Sequence, residues 1–257
     1  MAQSPVKSAD SPVGAPAPKR GRTGIWLAGG VAVMVAAGVL SFLGIHQSQQ
    51  HAYQESLRPT GIPASVSTSL AELMGLTPVP RTGAPDFTLT DQSGHTMSLA
   101  SFRGKSIVLE FMDPHCTDIC PIVSAEFVRA YHDLGAQAKN VVFLAVNVNQ
   151  YHAKVSDMAA YSGEHGLSAI PTWHFFTGPV PTLKKVWSGY DIEVQAPNPD
   201  ADVIHTSTIY FISPSGTEEF AAEPMDDKTA NGTGYLPAGQ IADWGNGIAK
   251  VARQLLG

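Results

Sequence analysis

Two thiols stand four positions apart in the run His115-Cys116-Thr117-Asp118-Ile119-Cys120-Pro121, and the chain has no other cysteine. Thiolates are nucleophiles, redox couples and soft metal ligands. Three intervening residues let both sulfurs surround one ion, roughly 3.5–4 Å apart for metal–sulfur bonds of about 2.3 Å. The same loop closes equally well into a disulfide, so the spacing leaves metal binding and thiol–disulfide exchange both open. Inert core thiols are the bland alternative. Against it stand the closeness of the pair and a compartment, argued below, where thiols tend to oxidise.

A third donor is sought among nine histidines. His46, His51, His95, His132, His152 and His165 sit in linker, turn or polar contexts and read as solvated surface side chains. His174 lies within an apolar strand and reads as a satisfied core histidine. His115 adjoins the first cysteine and is a candidate transient ligand. His205 stands just before the apolar run Thr208–Ile212, and its residue context alone leaves its role open.

These residues need elements to position them. Ile107–Met112 is a nearly continuous apolar run, as expected of a central strand covered on both faces. Val123, Phe127, Ala130 and Leu134 recur at helical spacing just after the cysteines. The pair therefore falls in a strand-to-helix loop, where open α/β sheets place their sites. Pro121 suits the first position of the helix, and that helix N-terminus favours ionised thiols. Further strands are expected at Phe87–Thr90, Val141–Val146, Trp173–Phe176 and Thr208–Ile212. Met158–Gly166 reads as part of a helix and Ala238–Leu256 as a last amphipathic one, with turns at Gly94 and Ser213-Pro214-Ser215-Gly216. Strand and helix alternating by short links make an α/β sandwich, a central sheet flanked by helices.

The rest of the chain sets the location. Residues 25–45 run 21 positions without a charge, long enough as a helix to cross a hydrocarbon core of roughly 30 Å. Residues 1–24 carry four basic side chains against one acidic, +3, and look like a disordered tail. Residues 46–257 carry twelve basic against twenty-one acidic, −9. The positive-inside rule then predicts a single-pass anchor in the cytoplasmic membrane, its N-terminus cytoplasmic and its C-terminal part periplasmic or otherwise extracytoplasmic. A cleaved signal peptide is the competing reading, but the run is long and Phe42-Leu43-Gly44-Ile45 is a poor cleavage site. So acidic a domain does not look like a nucleic-acid binder. Residues 46–84, rich in Gln, Ser, Thr and Pro, read as a tether with a helix-like patch near Ser69–Gly75, leaving 85–257 as one domain.

Several of these residues together carry a family resemblance. Gly83-Ala84-Pro85-Asp86-Phe87-Thr88-Leu89-Thr90-Asp91-Gln92, Phe102-Arg103-Gly104-Lys105, the C-x3-C-P run, Trp173–Gly178 and His205–Gly216 are similar to the SCO/SenC family. The resemblance implies a thioredoxin-like fold with a mixed central sheet and an N-terminal transmembrane helix. It implies copper, as Cu(I), Cu(II) or both, held by Cys116, Cys120 and His205. It also implies a role as metallochaperone for the binuclear copper centre of cytochrome c oxidase subunit II or a similar copper-receiving protein. The family commonly has Pro-Asp after its first cysteine, where this chain has Thr117-Asp118; the change touches no ligand. The other function is thiol–disulfide exchange, with Cys116 and Cys120 as a reversible disulfide reducing a partner's cysteines. A thiol peroxidase is disfavoured, because Asp113 occupies the position of the threonine in a T-x-x-C pattern.

Overall fold

The computed structural model describes residues 38–50, 52–53, 56 and 60–257. The chain divides into two units, residues 1–54 and 55–257. In the first, residues 38–50 are helical (α1) and expose Val39, Leu40, Phe42, Leu43 and Ile45. The expected cytoplasmic tail and residues 25–37 of the expected anchor lie outside the described residues. Among the described residues no helix is long and apolar enough to cross a membrane.

The second unit is built on a six-stranded mixed sheet. Its strands are β1 (Thr77–Pro78), β4 (Ser106–Met112), β5 (Val141–Asn147), β6 (Trp173–Phe176), β9 (Ile209–Ile212) and β10 (Glu218–Ala222). The spatial order is β1-β10-β9-β4-β5-β6. Strands β4, β5 and β6 run parallel, and β9, β10 and β1 antiparallel. Every residue of β4 and β5 is buried, as their uninterrupted apolar runs require. The parallel β4–helix–β5 unit followed by the β9–β10 hairpin and a closing helix is the thioredoxin-like arrangement.

On one face lie α2 (Thr68–Leu73), α3 (Ile119–Leu134), α4 (Val155–Glu164) and α6 (Ala238–Gln254), packed over Val108, Met112, Phe143 and Phe211. On the other lie α5 (Val180–Gly189) and the small hairpin β2 (Thr88–Thr90) with β3 (Thr96–Ser98), over Ile107, Leu109, Phe111 and Val146. Alternate residues of β4 thus feed opposite cores, as the two-residue period of a strand dictates. Two further two-stranded pairs are β7 (Val194–Gln195) with β8 (Ile204–His205), and β11 (Asp227–Lys228) with β12 (Gly234–Tyr235).

The stretch expected as a tether differs from expectation. Ile62, Val66, Leu70, Ala71, Met74 and Leu76 are buried in the main core, and β1 adds a strand to the sheet edge. Scattered polar residues mask this in sequence, because α2 is too short for its apolar face to repeat. Met74 sits against α6 at Gly247, where a Cβ would overlap its sulfur.

Candidate metal and thiol site

Strand β4 ends at Met112, and the next residue organises the loop that follows. The buried Asp113 accepts the backbone N–H of His115 (2.9 Å) and the side-chain amide of Asn149 (3.0 Å) on Oδ1. Its carbonyl accepts the N–H of Cys116 at 3.1 Å. Helix α3 starts at Ile119, two residues before the proline expected at its first position, so Cys120 lies in its first turn and only Cys116 in the loop. Proline is tolerated there because the first four N–H groups of a helix have no intrahelical partner anyway.

The two cysteines are free. Cys120 is buried and Cys116 half-buried, and the backbone N–H of Cys120 points at the Cys116 sulfur at 3.4 Å. Their acidities separate. The hydrogen bond from Cys120's thiol, helped by the N–H groups of Cys120 and Asp118, brings Cys116 down to about 7 against the opposing effect of burial. That same bond, followed by burial, pushes Cys120 well above the ordinary thiol range. Near neutrality Cys116 is therefore about half ionised, beside a buried protonated thiol.

His205 ends β8, held against Val194 of β7. Its Nδ1 lies 2.9 Å from the carbonyl oxygen of Thr206. A carbonyl only accepts, so Nδ1 carries the proton and Nε2 keeps its lone pair, the tautomer a metal ligand needs. Burial holds the ring's pKa below the ordinary histidine value, which keeps it neutral. Cys116 and His205 line one cavity of about 650 Å³ together with Asp113, Asp118 and Ser207. Residues 231–233, the tip between β11 and β12, form part of its wall. Asp118 pairs with Lys228 of that hairpin, so it fastens the hairpin to the cysteine loop. A soft or borderline ion suits two sulfurs and an imidazole, and a thiolate beside a thiol suits disulfide exchange.

Other groups at the site escaped the sequence reading. Glu110 lies wholly buried in β4, its Oε1 accepting the hydroxyl of Ser207 at 3.1 Å and its Oε2 without a partner. Glu126, on the buried face of α3, has neither oxygen paired. Burial raises Glu110 to about 8 and Glu126 to about 9, the latter with a further contribution from Glu110. Both signals were in the sequence: a carboxylate inside an apolar strand, and one three residues after Val123 on the helical stripe. His174 is a satisfied histidine, bonded to Asp91 at 3.0 Å. His152 and His165 are half-buried rather than solvated, and lie tilted against His115 and Tyr161 with ring centroids 3.7 and 4.2 Å apart. The loop around Asn147 and Asn149, not periodicity, folds His152 inward.

A family model described as SCO1/SenC matches residues 77–229. The chain is 26% identical over 132 residues to the SCO1 protein homolog of Bacillus subtilis, a stretch covering 51% of this chain and 68% of that one. It is 31% identical over 140 residues to the mitochondrial SCO2 homolog of Bos taurus, covering 52% of this chain and about half, 51%, of the bovine protein. The copper-bound ScoI structure of Bradyrhizobium japonicum shares the fold with a TM-score of 0.51 at 21% identity, over 68% of this chain and 99% of that one. For the copper-bound ScoI of Arabidopsis thaliana the TM-score is 0.52, also at 21% identity, over 67% and 99%.

Proposed function

The chain belongs to the SCO1/SenC family, and from that premise we propose that it is a membrane-anchored, extracytoplasmic copper metallochaperone. Cys116, Cys120 and His205 hold the copper, and the recipient is the binuclear copper centre of cytochrome c oxidase subunit II or a similar protein. One observation carries this reading: a low-pKa thiol and a neutral histidine with a free Nε2 line the same cavity, next to a second thiol. Copper-bound structures of two relatives with this fold support it. Three protein ligands leave a coordination position through which a partner's cysteines and histidines can take the ion. The exposed apolar side chains of residues 39–45 and the +3 charge before them support the anchor. Release of the chain from membranes by alkaline carbonate would count against it.

The test is a Cu(I) titration of the reduced full chain beside Cys116→Ser and His205→Ala. The expected result is one tightly held copper, weakened by about tenfold or more in each variant, since even outer-shell changes cost that much. Equal binding in all three proteins overturns the assignment.

The opposed acidities of the two thiols favour a second activity at the same residues, reduction of a partner's disulfide. Cys116 attacks as thiolate and Cys120 resolves the mixed disulfide, leaving the pair oxidised and the partner reduced. His205→Ala separates the two duties: copper transfer collapses, while disulfide exchange persists with its rate half-maximal near pH 7. Loss of both together would merge them into one.

A further inference from the structure

Cys116 and His115 each line two cavities. One holds His205; the other, of about 580 Å³, is lined by His115, Cys116, Asp157, Tyr161, Glu164 and His165. At its edge the ring nitrogens of His115 and His152 and a carboxylate oxygen of Asp157 all lie within 4.8 Å of one another. We propose that His115, His152 and Asp157 form a second metal site, selective for a divalent transition ion such as Cu(II), with a ligand set separate from Cys116, Cys120 and His205.

The three side chains come from separate segments, and one polar hub fixes the backbones of the two histidines. Asp113 Oδ1 accepts the N–H of His115 and the amide of Asn149, and Asn149 Oδ1 accepts the N–H of His152 at 3.2 Å. The backbones of both histidines are therefore fixed to the same Asp113–Asn149 pair. Asp157 is fixed as well, its Oδ2 accepting the N–H of Lys154 at 3.2 Å at the start of α4. Donors of one ion with bonds of about 2.0–2.2 Å lie roughly 3–3.5 Å apart, so the cluster needs to close by at most about 1.3–1.8 Å. His115 is exposed at the loop end and is free to make that turn. Its ring already lies over that of His152.

The donor set chooses the ion. Two imidazoles and a carboxylate are harder than two thiolates and an imidazole, and among first-row divalent ions Cu(II) binds such donors most tightly, ahead of zinc. The thiolate site suits Cu(I). The two sites draw on separate ligands, so one protein can hold an ion at each.

The experiment removes the first site to expose the second. In the full chain carrying Cys116→Ser, Cys120→Ser and His205→Ala, Cu(II) is titrated and followed by electron paramagnetic resonance. One Cu(II) per chain with imidazole nitrogen coupling is expected. Adding His152→Ala, or separately Asp157→Asn, should weaken it by about tenfold or more. Asp157→Asn keeps an oxygen for the Lys154 N–H, so it tests the ligand without removing the helix cap. His132→Ala, on the exposed surface of α3, should change nothing. Absence of bound Cu(II) in the triple variant, or binding indifferent to both His152→Ala and Asp157→Asn, overturns the site.

Discussion

A carboxyl in the middle of an all-buried strand is expensive to ionise, and Glu110 escapes that cost by staying protonated up to about pH 8. The unfolded chain ionises near its ordinary 4.5. Between those two values the native state binds one more proton than the unfolded state, so stability falls as pH rises through the window. Glu110→Gln preserves the acceptor for Ser207 and removes the titration. Its stability relative to the parent should therefore climb by about 3 kcal/mol between about pH 5 and about pH 7.5. Urea unfolding at the two pH values measures it; a difference that stays constant with pH would mean that Glu110 is ionised in the folded protein. Glu126 adds a slope of the same sign to both proteins and cancels from the comparison. Once ionised, the Glu110 carboxylate also adds a small upward push to the pKa of the buried Cys120 thiol.

Among elements, the small hairpin of β11 and β12 does more than its size suggests. Surface ion pairs contribute little to stability, so the Asp118–Lys228–Asp226 group matters chiefly for where it holds the hairpin. Gly234 lets the hairpin sit there, since a Cβ would overlap the carboxylates of both Asp118 and Asp226. Gly234→Ala is therefore expected to lift the hairpin from the cysteine loop at a cost of about 1–3 kcal/mol, the usual range for overpacking. Hydrogen exchange should quicken in residues 227–235 and in the loop before α3, and unchanged exchange would mean that the hairpin merely rests there. The sequence showed none of this, because two-residue strands have no period to read. Long uniform elements were legible: the apolar run at 107–112 became β4, 173–176 became β6, and the stripe Val123–Leu134 became α3. The cysteines were legible too, from type and spacing. His205 was paired with them only through the family resemblance and not through periodicity, because β7, which holds it, is another two-residue strand.

For the whole molecule, the part that defines the family is smaller than the part that folds. The SCO1/SenC match ends at residues 77 and 229, yet the main core draws on both sides of it. Ile62, Val66, Leu70, Met74 and Leu76 enter from the N-terminal side, and Trp244, Ile248 and Val251 of α6 from the C-terminal side. Burying each such side chain is worth about 1.5–3 kcal/mol, whereas a domain's entire stability is about 5–15 kcal/mol. Eight of them outweigh that margin. Helix α6 packs along α3, whose first turn carries Cys120, so its loss also uncovers the back of the site. A fragment of residues 77–229 is thus expected to lose cooperative unfolding and bind a hydrophobic dye, while residues 55–257 unfold in one sharp transition. The comparison is made by thermal unfolding with the dye present. A fragment of 77–229 that melted cooperatively would show that the flanking helices are accessory, and that strands β4, β5 and β9 with α3 suffice to hold Cys116 and Cys120 in place.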